Sequence, residues 1–224
     1  MLEINGWMEA LTAQLKEAFG ERLLFAGLQG SRRRGEAAED SDIDVVVVLD
    51  QLTAEALRTY RNLVAAQPEG EKACGFICGR AELAAWPKFE IFQLLRETRP
   101  YWGDLSGLVP EIGRQDIVDS LKIGASMLYH AAAHTFLYGG SPMLTEAAKG
   151  FYKQAFFLLQ VGHYLRTGHY ADTKKELGPL LDERERAILQ TGIEWDRHQE
   201  KCAADPESYI LAILDWSSEL LRTA

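Results

Sequence analysis

The chain has 224 residues, 47% of them hydrophobic and 25% charged, with 24 basic against 33 acidic residues for a net charge of −9. These proportions exclude a disordered, collagenous or low-complexity polypeptide and suit two small domains, each able to close a core. The longest apolar run of consequence, Val45 to Leu49, is far below the roughly 18 residues that a membrane span needs, and Met1 to Phe19 is too charged for a signal peptide, so a cytoplasmic protein with no membrane partner is expected.

In chain order, Trp7, Met8, Leu11, Leu15 and Phe19 recur at helical spacing, and Gly20 stops that helix before an apolar strand over 23–28. A polar loop over 31–41 leads to 43–49, whose four consecutive valines predict a strand covered on both faces. Thr53 can cap a helix running to about residue 66, and 73–78 and 90–96 read as two further strands. A Gly- and Pro-rich stretch over 100–113 then separates this half from a purely helical one, with helices expected over 116–138, 142–166, 174–181, 183–195 and 206–221. The predicted class is α+β. A mixed sheet with flanking helices occupies 1–110, and an all-α bundle occupies 111–224.

Three cysteines cannot all pair internally, which points to a reducing compartment. Cys74 and Cys78 read as packing thiols of a buried strand, since no second Cys or His pair stands at zinc spacing. His130 and His134 lie four apart on one helix, but Ala131 stands where a zinc-protease motif has Glu. The net negative charge disfavours nucleic acid as a partner and attracts a cationic small molecule.

The chemistry concentrates in Gly30-Ser31-Arg32-Arg33-Arg34-Gly35 and Ser41-Asp42-Ile43-Asp44, wedged between two strands. A period of two points the carboxylates of Asp42 and Asp44 to one face, where hard cations such as Mg²⁺ take one or two carboxylates and complete their shell with substrate phosphates. Gly30 permits close backbone approach to a phosphate, Ser31 adds a hydroxyl, and the arginines, Arg34 among them, offer local positive charge to a triphosphate. No P-loop, dinucleotide fingerprint or nucleophile elbow competes with this reading.

This Gly-Ser turn, basic loop and Ser-Asp-Ile-Asp opening a valine strand resembles the polymerase-β-like minimal nucleotidyltransferases. The resemblance implies transfer of a nucleoside monophosphate from a nucleoside triphosphate, ATP being the expected one, to a hydroxyl of a small molecule or protein. It further implies that Ser31 contacts the phosphates and that Asp42 and Asp44 hold two Mg²⁺ ions. Such enzymes also carry a third carboxylate on a neighbouring strand. The segment 73–78 has none, which leaves Glu90 and Glu97 as the candidates and a catalytically weakened, antitoxin-like nucleotide-binding module as the alternative. The helical half, through Phe151 to Phe157, Tyr164 to Gly168 and Lys174 to Leu177, resembles the HEPN-like bundle that accompanies aminoglycoside-modifying nucleotidyltransferases. That likeness implies a bundle closing over the nucleotide, often in a homodimer, with Lys153 on phosphate and Glu146 as a base; Lys149 stands where kanamycin-type relatives carry a catalytic Glu.

Overall fold

The computed structural model describes residues 2–223, which divide into two compact units between Ile112 and Gly113. The first is built on a four-stranded mixed sheet of order β3-β2-β1-β4, with β1 at Leu23–Leu28, β2 at Ile43–Leu49, β3 at Ala73–Gly79 and β4 at Arg99–Trp102. Strand β1 runs antiparallel to both β2 and β4, while β2 and β3 are parallel, joined by the crossover helix α3 (Ala54–Ala65). Thr53 caps α3 by accepting the Ala56 N–H at 3.1 Å, the hydroxyl capping that its sequence position suggested.

Burial in β2 follows strand parity. Ile43, Val45, Val47 and Leu49 join the core formed with Trp7, Met8, Leu11, Leu15 and Phe19 of α1 (Ile4–Phe19) and with Ala56 of α3. Val46 and Val48 face the other way, into a second core with Phe25, Cys78, Leu83, Ile91 and Leu105. Every residue from Ile43 to Leu49 except Asp44 is fully buried, and burying one such aliphatic side chain contributes about 1.5–3 kcal/mol. The strand is therefore a rigid mount. The same parity puts Asp42 and Asp44 on the Val46 and Val48 side of the sheet.

Two expectations fail in this unit. Residues 90–96 are not a strand but the body of helix α5 (Lys88–Glu97), which follows the short helix α4 (Arg80–Ala84) and buries Ile91, Phe92 and Glu97. The apolar positions 91, 92, 94 and 95 recur at helical rather than alternating spacing, and Pro87 immediately precedes the first helical residue. The fourth strand, β4, falls inside the Gly- and Pro-rich stretch read as a connection. It is four residues long and sits at the sheet edge, where Pro100 is tolerated.

The second unit is all helical: α6 (Arg114–Tyr138), α7 (Ser141–Thr167), α8 (Lys174–Leu177), α9 (Glu183–Ile193), α10 (Trp195–Ala204) and α11 (Pro206–Thr223). Helices α6, α7 and α11 pack on one another and α9 and α10 pack on α7, burying Leu121, Leu128, Phe156, Leu159, Ile210, Ile213 and Trp216. Arg166 makes a two-pronged bond to the buried Glu185, at 3.0 and 2.8 Å. Helix α10 was not foreseen, because Trp195 and Cys202 are its two buried residues and stand seven apart, too sparse for an apolar stripe. No helix is long and apolar enough to cross a membrane among the described residues.

Candidate active site

The turn between β1 and β2 is a single-turn helix, α2 (Gly30–Arg34), closed by Gly35 in the left-handed conformation. Its first residue, Gly30, has φ +71° and packs so closely on β2 that an added Cβ would lie 1.9 Å from Asp44 Oδ2. The Gln29 N–H donates to the Asp44 carbonyl at 2.8 Å, so the Gly-Ser turn and the aspartate strand are locked edge to edge. The structure thus brings Gly30 and Asp44 together, with Ser31 next in α2 and Asp42 one residue before β2. Asp42 is exposed and Asp44 half-buried. Among the described residues, neither carboxylate has a basic side chain as partner. Two like charges held two residues apart on one strand face repel unless a cation intervenes, so this pair fits a divalent ion.

Gly30→Ala tests the close approach. The left-handed φ and the clash with Asp44 together should cost about 1–2 kcal/mol of stability and lower any activity that depends on Asp44 by more than about tenfold. Thermal melts and turnover on the same preparation measure both.

The three arginines turn inward. Arg32 is 7% exposed and bonds the carbonyls of Ser41 and Asp42. Arg33 donates to the Arg96 carbonyl at the end of α5, at 2.8 Å. Arg34, with 5% of its side chain exposed, is paired with Glu97 at 2.6 Å and Glu36 at 3.1 Å. The expectation that Arg34 serves a triphosphate therefore meets a guanidinium already engaged by two carboxylates.

Glu97, a candidate third acid, is the buried partner of that ion pair, with Arg33 also at 4.0 Å. Glu90 is exposed on α5 and accepts the indole N–H of Trp86. Neither lies on a strand. The residue that does stand beside Asp44 is Cys74: the parallel register pairs the two directly, and the Cys74 thiol donates to Asp44 Oδ1 at 3.2 Å. It is exposed, not a packing thiol; Cys78 is the buried one. Nearby, burial pushes the Tyr60 phenol up to about 12, with Cys74 adding to the shift, so Tyr60 stays protonated at neutral pH and can donate but not act as a base.

Lys153, Glu146 and Lys149 are exposed residues of α7, in the second unit. His130 and His134 are exposed on α6 with ring centroids 6.2 Å apart. Among the described residues no three His, Cys, Asp or Glu side chains cluster as a metal cage.

Residues 11–99, within the first unit, match the family model described as the nucleotidyltransferase domain. Among solved structures, the chain is similar to spectinomycin adenyltransferase AAD(9) from Enterococcus faecialis, a complex with ATP and spectinomycin. The TM-score is 0.58 at 13% identity, over 98% of this chain and 99% of that one. At that identity the likeness is one of fold, and it extends through both units. A toxin-antitoxin complex with AMP-PNP aligns over 57% of this chain and 91% of that one, at 19% identity and a TM-score of 0.34. No curated protein sequence matches the chain.

Proposed function

We propose that this protein transfers a nucleoside monophosphate from a nucleoside triphosphate, ATP in the first instance, to a hydroxyl group of a small molecule, releasing pyrophosphate. The observation that carries the reading is the packing of Gly30 against the Asp44 carboxylate, which sets a glycine-serine turn beside two aspartates without a basic partner. Asp42 and Asp44 would hold two Mg²⁺ ions, the remaining ligands coming from substrate phosphates. When bound, such ions stabilise charge on the attacking and leaving oxygens and acidify the attacking hydroxyl. The chain's own contribution is positional. Strand β2 fixes the Asp44 carboxylate, Gly30 lets the turn lie against it, and Ser31 would offer a hydroxyl to the triphosphate. Net charge −9 favours a cationic acceptor, and the likeness in fold to an enzyme solved with ATP and spectinomycin supports an aminoglycoside-like one.

Incubation with labelled ATP, Mg²⁺ and an aminoglycoside panel tests the proposal. Acceptor-dependent pyrophosphate release with a labelled product is the expected result, and ATP binding without turnover on any acceptor would overturn it.

A second reading, a nucleotide-binding module of weak activity, is favoured by one observation: Cys74, not an acid, is the register partner of Asp44. Cys74→Asp discriminates between the two. It is expected to raise turnover about tenfold if a third carboxylate is what the site lacks, about 1.4 kcal/mol of barrier, and to leave turnover unchanged or lower if the thiol suffices.

A further inference from the structure

We infer that Arg32 is a positioning residue for the aspartate pair: its buried guanidinium holds the start of β2 at a fixed distance from the Gly-Ser turn, and so sets where Asp42 presents its carboxylate. The inference deepens the proposed reading of this site and rests on it.

Arg32 follows Ser31 directly, in the middle of α2, and is 7% exposed. Its Nε donates to the Ser41 carbonyl at 3.2 Å and to the Asp42 carbonyl at 3.1 Å, and one terminal nitrogen donates to the Ser41 carbonyl at 2.7 Å. These are the last two carbonyls before β2 begins. Both would otherwise lie outside the sheet ladder, so a rigid fork from across the loop fixes the backbone of Asp42 where no neighbouring strand does. The two aspartates are thus held by different means. Asp44 is inside β2, backed by Gln29 and by β3, whereas Asp42 stands one residue before the strand and has Arg32 as its anchor.

The other two arginines cannot take over, since Arg33 reaches Arg96 and Arg34 reaches Glu97 and Glu36. The intervening loop has its own bonds, Ala38 N–H to Ser41 Oγ at 2.9 Å and Lys72 to the Glu39 carbonyl at 3.0 Å, but these do not reach Asp42. A lysine at position 32 would keep the charge yet lose the planar fork that spans two carbonyls.

The test compares wild type, Arg32→Met, Arg32→Lys and Asp44→Asn by Mn²⁺ binding in the presence of ATP, followed by electron paramagnetic resonance, with a thermal melt of each. Arg32→Met should weaken the Mn²⁺ midpoint about tenfold or more in protein that still melts cooperatively, and Arg32→Lys should recover only part of it. Where turnover is measurable, kcat should fall in parallel while the KM for the acceptor stays within about threefold. A folded Arg32→Met with the wild-type Mn²⁺ midpoint overturns the inference alone, and so does a variant whose losses vanish once corrected for its folded fraction. Wild-type Mn²⁺ binding that Asp44→Asn does not alter overturns the inference together with the reading of the site. Normal Mn²⁺ binding in a wild type that transfers nothing removes the proposed reaction and leaves Arg32 judged by the Mn²⁺ midpoints.

Discussion

Asp44→Asn is expected to abolish nucleotidyl transfer, with turnover falling at least about a thousandfold, some 4 kcal/mol of lost transition-state stabilisation, while the melting temperature stays close to wild type. The amide is isosteric with the carboxylate and can still accept from the Cys74 thiol, so the fold has little reason to notice the change. What the amide removes is the negative charge through which the site would engage a divalent ion. Pyrophosphate release with saturating ATP and acceptor measures the first quantity and calorimetry the second. An Asp44→Asn protein retaining a tenth of wild-type turnover would be incompatible with the proposed role.

Glu97→Ala should behave in the opposite way. Its carboxylate is 6% exposed and pairs with an Arg34 side chain 5% exposed. Removing one member of a buried ion pair typically costs 3–5 kcal/mol, because the other charge is left without full compensation. Glu36 also contacts Arg34, which places the expected loss near the lower end, about 3 kcal/mol or roughly 10 °C in Tm. The double variant Arg34→Met, Glu97→Leu should recover part of that loss, since it removes both members of the tightest pair, while the more exposed Glu36 and Arg33 each lose one partner. Were Glu97 instead the third acid of the reaction, Glu97→Gln would erase turnover at unchanged Tm. Melts and rates on the three proteins separate these outcomes.

The contrast between these two acids marks how far the sequence could be read. The place of Asp44 was legible because it depends on strand parity, a local property that four consecutive valines make unambiguous. Gly30 was legible for a similar reason, since little besides a turn fits between two apolar runs. Glu97 was not. Its ion pair depends on a partner 63 residues earlier in the chain, and the helical spacing of the apolar residues before it extends over only five positions. The partners of the arginines were hidden for the same cause. A run of three cations beside a phosphate-like turn suggests a ligand, whereas, Glu36 apart, their carbonyl and carboxylate partners lie 9 to 63 positions away and come together only once the sheet has formed. Cys74 was placed on its strand, but its pairing with Asp44 is a matter of register between two strands 30 residues apart, which no single segment encodes. Strand β4, four residues with a proline inside, carries almost no periodic signal at all.

The mounting of both acids on one short ribbon makes the domain unequally tolerant of changes in length. Residues can be added to or lost from the stretch between Gly35 and Ala38 with only a local adjustment, because the Arg32 fork and the strand that together place the acids lie on either side of it. Deleting a single residue between Ile43 and Val46 would instead slide hydrophobic side chains outward and turn a carboxylate toward α1. Natural or engineered variants of this chain should therefore differ in length before Ser41 and almost never between Asp42 and Leu49.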